Sequence, residues 1–373
     1  MNVDIQCSIG EVIDKITILD IKCDEIKDQA RVEDCKRERD SLLNNISHIY
    51  NNTLNYYRNI LKKINKRIWD DQEVIRNIED DTKYGQISKK VIADNDARFR
   101  VKKIINTHFN SSLKEQKSYK VKTCIIISHL GLGDSINISA AVRYLSIHYD
   151  KLIIPVKDKY IENMRLIYTD NPFIECISVQ NNNEKSCIDS IIKTYENPDI
   201  YSSGCHYLKG SSNIDKYAVP KGLYLDFNLD YNEIFKSKEW FFCENLADEN
   251  IIKEIKKYNI IFIHKESSQI KADKIIYKIK NKLLEDDTIV IDACENLYSK
   301  DSNKYELAQY FVYKPLAYLT TIIKECNEIY LTDSSIFCLS IQLPLKATIK
   351  ECYVRCNIED TLDIDSRFNY YKI

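Results

Sequence analysis

From residue 121 onward, short runs rich in β-branched residues alternate with amphipathic stretches, and this alternation restricts the fold more than any other feature of the chain. Residues 121–128, 152–156 and 173–179 read as strands, with helices near 135–147 and 159–168 between them. Strands that alternate with helices predict a parallel sheet with right-handed crossovers. A second alternation follows, with helices near 248–257, 270–284, 315–326 and 335–342 and strands at 259–264, 288–292 and 328–332. Between the two, residues 195–226 hold Gly204, Gly210 and Gly222 among several Ser and Tyr, and read as loops. Two such units in tandem predict two Rossmann-like domains facing each other across a cleft.

The first 118 residues have a different period. Ser8-Ile9-Gly10-Glu11 is a capping box, and Val12, Ile16, Leu19, Cys23 and Ile26 then recur at helical spacing on one face. A longer helix is expected over 32–69, a break at Asp70–Asp71 and the acidic run Glu79-Asp80-Asp81, and a third helix over 88–109. The expected architecture is therefore α/β: an all-α domain at 1–118, a first Rossmann-like domain at 119–230 and a second at 231–373.

Composition narrows the function. The chain has 54 Lys+Arg against 56 Asp+Glu, a net charge of −2, without the basic excess of a dedicated nucleic-acid binder. No apolar run approaches the roughly 18 residues that span a bilayer, and no secretory leader opens the chain. A cytoplasmic location is expected. The 13 cysteines include no CxxC pair, so they read as reduced, buried thiols. No histidines stand at HxxxH spacing, and neither a metal nor a resident cofactor is expected.

Three segments carry chemistry. In Ser128-His129-Leu130-Gly131-Leu132-Gly133-Asp134-Ser135, two of only seven glycines lie between an expected strand and helix. A tight turn there brings backbone amides close to a ligand. The dinucleotide fingerprint would need a third small residue, and Ile136 stands in its place. Asp134 is either a carboxylate projecting at the carboxyl ends of the strands or a helix N-cap. Thr332-Asp333-Ser334-Ser335 ends a strand and starts a helix, so Asp333, Ser334 and Ser335 either hold an anion or cap the helix. In His264-Lys265-Glu266-Ser267-Ser268, Lys265 offers a cation and Ser267 and Ser268 offer donors, unless the segment is a surface loop.

Residues 124–145 (CIIISHLGLGDSINISAAVRYL) and 316–344 (LAYLTTIIKECNEIYLTDSSIFCLSIQLP) resemble two elements of GT-B glycosyltransferases of the heptosyltransferase-like branch. These elements are the opening strand with its Gly-Asp turn, and the late strand followed by Asp-Ser and a helix. The resemblance spans about residues 121–355. It implies an inverting, metal-independent transfer of a sugar from a nucleotide-diphosphate donor to the hydroxyl of a glycan or other acceptor. Asp134 would be the general base, and His129, Gly131 and Gly133 would form the acceptor-side loop. Lys265, Ser267, Ser268, Asp333, Ser334 and Ser335 would bind the donor phosphates, while Tyr298, Tyr313 or Lys314 contacts the base. The chain departs from the branch in two places. His264–Ser268 replaces its glycine-rich phosphate loop, and Phe337 and Cys338 stand where a histidine commonly follows Asp-Ser. These departures leave an alternative: a catalytically silent nucleotide- or glycan-binding or assembly protein.

Residues 9–21 (IGEVIDKITILDI) and 94–106 (DNDARFRVKKIIN) resemble an uncharacterised helical family found in bacteria. Its basic residues Arg98, Arg100, Lys102 and Lys103 read as a phosphate-binding patch or a solvated helix face. The helical domain is also a candidate site for a partner or for self-association.

Overall fold

The computed structural model describes residues 6–118, 120–203, 213, 219–267, 271–355 and 365–373. Contacts group the chain into two compact units. One takes residues 1–123, 145–152 and 170–174; the other takes 124–144, 153–169 and 175–373.

The first unit is built on four helices, α1 (Ile9–Glu25), α2 (Gln29–Asn45), α3 (Asn52–Ile75) and α4 (Asp81–His108). Half of the expected capping box forms. Ser8 Oγ accepts from the amide of Glu11, whereas the Glu11 carboxylate turns to Lys102 Nζ at 2.7 Å. The helix expected over 32–69 is two helices, because Asn51 accepts from the Leu54 amide at 2.9 Å and starts α3 afresh. The break expected at Asp70–Asp71 is absent. Asp80 instead caps α4 through the amides of Thr82 and Lys83. Ile13, Ile16 and Leu19 of α1 close the core with Leu54, Leu61 and Ile64 of α3 and Val101 and Ile105 of α4.

The basic stretch of α4 is paired within the chain rather than spread on a solvated face. Arg98 Nε reaches both Asp14 oxygens at 2.8 and 3.0 Å, Arg100 pairs with Asp150, and Lys102 pairs with Glu11 and Glu115. Lys103 lies over the Phe173 ring.

The second unit holds two sheets. The elements of the first are β1 (Thr123–Ile127), α5 (Leu132–Asn137), α6 (Ser139–Ser146), β2 (Lys151–Lys157), α7 (Ile161–Ile167), β3 (Ile174–Val179), α8 (Glu184–Thr194), β4 (Asp199–Ser202) and α9 (Val219–Asp226). The strand order is β3-β2-β1-β4, with β4 parallel to β1. The helix expected over 135–147 is interrupted at Ile138. β4 and α9 fall in the stretch that reads as loops, since Asp-Ile-Tyr-Ser has neither an apolar run nor strict alternation.

The second sheet comprises α10 (Glu249–Ile255), β5 (Asn259–His264), α11 (Asp273–Ile279), β6 (Thr288–Asp292), α12 (Tyr305–Gln309), α13 (Leu316–Glu325), β7 (Glu328–Thr332), α14 (Ser335–Ser340), β8 (Ile349–Val354) and β9 (Asn369–Lys372). Its order is β6-β5-β7-β8-β9, and every pairing is parallel. β5, β6 and β7 keep the bounds read from the sequence, because strands buried on both faces are continuous apolar runs. No helix among the described residues is long and apolar enough to cross a membrane. The cysteines among them are free thiols.

Candidate functional site

Strand order marks out a candidate site. In an open α/β sheet, ligands bind beyond the carboxyl ends of the strands where the order reverses. The first sheet reverses between β1 and β4, and the second between β5 and β7. Those ends carry the described residues of the three segments singled out above, at 128–135, 264–267 and 332–335.

At the end of β1 the chain turns through Leu130, whose φ of 59° is left-handed. A leucine there costs about 1–2 kcal/mol, and its fully buried side chain in the cluster of Ile125, Ile127 and Ile153 holds it in place. Gly131 and Gly133 follow, each in close contact with a side chain. A Cβ on Gly131 would lie 2.7 Å from Asp134 Oδ2, so the carboxylate folds back over bare backbone. A Cβ on Gly133 would lie 3.3 Å from Cys338 Sγ and 3.9 Å from Ser335 Cα. Gly133 is thus a packing residue that lets α5 approach α14, which lie directly against each other. Gln342 ties the same two helices, donating from Nε2 to the carbonyls of Ile136 and Cys338 at 2.8 and 3.0 Å.

Asp134 is half-buried in the first turn of α5. Burial raises its carboxyl pKa, opposed by His129 and reinforced by Asp333. Burial likewise raises Asp333, although its side chain keeps surface exposed to solvent. Asp333, far off in sequence, therefore acts on Asp134. Behind them, Ser334 caps α14 through the Phe337 amide, and its Oγ lies 3.0 Å from His264 Nδ1 at the end of β5. Burial lowers His264 to about 4, so the ring is neutral near pH 7. Ser335 begins α14.

Lys265 is 7% exposed and already matched: it pairs with Glu295 and lies 3.6 Å from Asp292. Asp292, at the end of β6, is pushed up to about 6 by burial, against the pull of the Cys294 amide and Lys265. Ser267 lies half-buried in the loop after β5, and Ser268 lies outside the described residues. Of the aromatic candidates, Tyr298 is committed, its hydroxyl accepting from the Val290 amide at 2.8 Å. Tyr313 is 80% exposed, and its amide donates to the Ala293 carbonyl beside Asp292. Sequence reasoning missed Asp292, Glu295 and Gln342, as well as Asn163 of α7, which accepts from the Leu316 amide at the start of α13 at 2.9 Å. An acid closing the apolar run Thr-Ile-Val-Ile-Asp was the one signal available for Asp292. Among the described residues, no group of three His, Cys, Asp or Glu side chains could hold a metal ion.

The buried histidine makes a pH prediction. His264 binds a proton in the unfolded chain below its ordinary 6.5 but not in the folded one until about 4. Stability therefore falls as pH drops from 6.5 towards 4, by at most about 3 kcal/mol from this group. His148 of the helical unit, also held near 4, adds to the trend. Asp292 opposes it, because its raised carboxyl stabilises the fold at low pH and that contribution is lost as pH rises through 6. Urea unfolding of His264→Gln between pH 6.5 and 4.5 should show a shallower loss than the parent. An unchanged slope would mean that the ring is not held neutral.

A family model described as "Family of unknown function (DUF6165)" matches residues 1–131. No curated protein matches the chain. Among solved structures, it is similar to the glycosyl transferase family 9 protein from Veillonella parvula (9% identity, 68% of this chain and 86% of that one, TM-score 0.44). It is also similar to the iron-containing dodecameric glycosyltransferase TibC from enterotoxigenic E. coli (13%, 65% and 61%, 0.39). A third is the E. coli ADP-heptose LPS heptosyltransferase II (10%, 67% and 90%, 0.37).

Proposed function

We propose that the chain is a glycosyltransferase, moving a sugar from a nucleotide-diphosphate donor to an acceptor hydroxyl with inversion and without a metal. The observation that carries this reading is Asp134, half-buried past β1 at a strand-order reversal, its carboxyl raised by burial with Asp333 past β7 adding to the rise. A carboxylate whose basicity is raised by burial suits a general base that takes the proton from an attacking hydroxyl. Direct displacement by that oxygen breaks the bond from sugar to diphosphate and inverts the anomeric carbon. The leaving diphosphate is assigned to the hydroxyl and backbone amide of Ser335 and the neighbouring Ser334, where fixed dipoles offset the growing charge. Lys265 joins them only by exchanging Glu295 for phosphate.

A thermal-shift screen against UDP-, GDP-, CMP- and ADP-sugars tests the donor. At a hundredfold excess over Kd, a ligand stabilises the folded state by about 2.7 kcal/mol, and one base class is expected to raise Tm well above the others. If no nucleotide sugar moves Tm, the donor assignment is wrong. The second reading, a silent binding module, is favoured by one observation: Lys265 and the Ser334 hydroxyl already have partners within the chain. In that case a donor stabilises the fold, yet neither hydrolysis nor transfer of its sugar is detected.

A further inference from the structure

Beyond Asn65 in α3 and before Asp94 in α4, neither helix has a buried residue. Residues 66–93 thus form a two-helix arm, and its α4 portion is about 20 Å long at 1.5 Å per residue. Three apolar side chains on it face solvent: Val74 at 49%, Tyr84 at 50% and Ile92 at 63% exposure. Charge on the arm falls into blocks. Glu79, Asp80 and Asp81 stand at its tip, with Lys83 next to them and Lys89 and Lys90 two turns further on. None of these six side chains forms an ion pair with any described residue. Gly85 lies between the blocks, inside a helix, where glycine costs about 1 kcal/mol relative to alanine. A Cβ there would meet nothing within 4 Å, so no packing within this chain calls for a glycine.

We propose that the arm is a homodimer interface, in which α4 of one copy meets α4 of a second copy antiparallel about a two-fold axis near Gly85. That register sets Asp81 opposite Lys89 of the second copy, both within about 40° of Gly85 on the helix, and the symmetry repeats the pair. Ile92 lies on the same face of α4, and the bare backbone at Gly85 meets its own mate. Opposite charges arranged in separate blocks along one helix are self-complementary only in an antiparallel, isologous contact. For this reason a second copy fits better than a partner of one charge sign. The proposal is independent of the transferase reading.

Sedimentation velocity on the full chain tests it, run between about 1 and 100 μM. The parent protein should shift with concentration towards twice its 43.8 kDa mass, less so at high salt, because exposed charges are screened. Lys89→Glu alone and Asp81→Lys alone should each weaken association by about tenfold or more. An equimolar mixture of the two variants should restore it as a heterodimer. Helical circular dichroism equal to the parent's shows that each variant is folded. A parent that stays monomeric overturns the proposal. So does a dimer indifferent to both reversals, or a mixture that fails to associate.

Discussion

Asp134→Asn is expected to lower sugar transfer by about 10²–10⁴-fold while leaving donor affinity within about twofold. The amide keeps the size of the carboxylate and its place over Gly131, but it cannot take a proton. The pH profile gives a second readout. Burial raises the Asp134 carboxyl, so the parent's kcat/KM should climb with pH through a midpoint above the usual carboxylate range. The residual rate of the Asn variant should be flat there. Asp333→Asn removes the like charge that helps to raise Asp134, and it should move the parent's midpoint down. Steady-state rates with the donor identified by thermal shift decide the matter. An Asn variant as active as the parent would falsify the base assignment, and a variant that loses donor binding as well would make Asp134 a structural residue.

The second large effect is on stability. Asp14→Leu should cost about 3 kcal/mol, near the lower end of what breaking a buried pair costs. The Asp14 side chain is 3% exposed and accepts from Arg98 and from Asn65 Nδ2 at 2.8 Å. Removing it leaves the Arg98 guanidinium, 27% exposed, without its counter-charge inside the helical unit. The double variant Asp14→Leu/Arg98→Met should recover most of the loss, because well-packed apolar side chains can replace a buried pair at little cost. Asn65 keeps a partner in Thr17 Oγ1. Urea midpoints of the parent, the two single variants and the double close the cycle. If Asp14→Leu leaves the midpoint unchanged, the pair contributes nothing to the fold.

Legibility in the sequence followed burial. β5, β6 and β7 could be bounded to the residue because both faces of each strand are covered, leaving apolar runs with polar ends. β4 could not, since three of its four side chains are charged or hydroxylic and most of it stays exposed. The long helix expected over 32–69 failed on one side chain: Asn51 captures an amide and restarts the helix, an outcome that apolar spacing does not register. The basic run of α4 shows the reverse limit. Its periodicity is that of a surface, yet Arg98, Arg100 and Lys102 find carboxylates far off in sequence.

The site divides in the same way. Sequence alone determined that Gly131-Leu132-Gly133-Asp134 and Thr332-Asp333-Ser334-Ser335 each turn from a strand into a helix, because turn chemistry and capping act over a few residues. Tertiary structure decided the rest. It set Gly133 against Cys338, let Asp333 raise Asp134, placed His264 on Ser334 and gave Lys265 to Glu295 and Asp292. Protonation and pairing depend on which charges the fold brings within a few ångströms and how much water it removes, and neither quantity is written in local spacing.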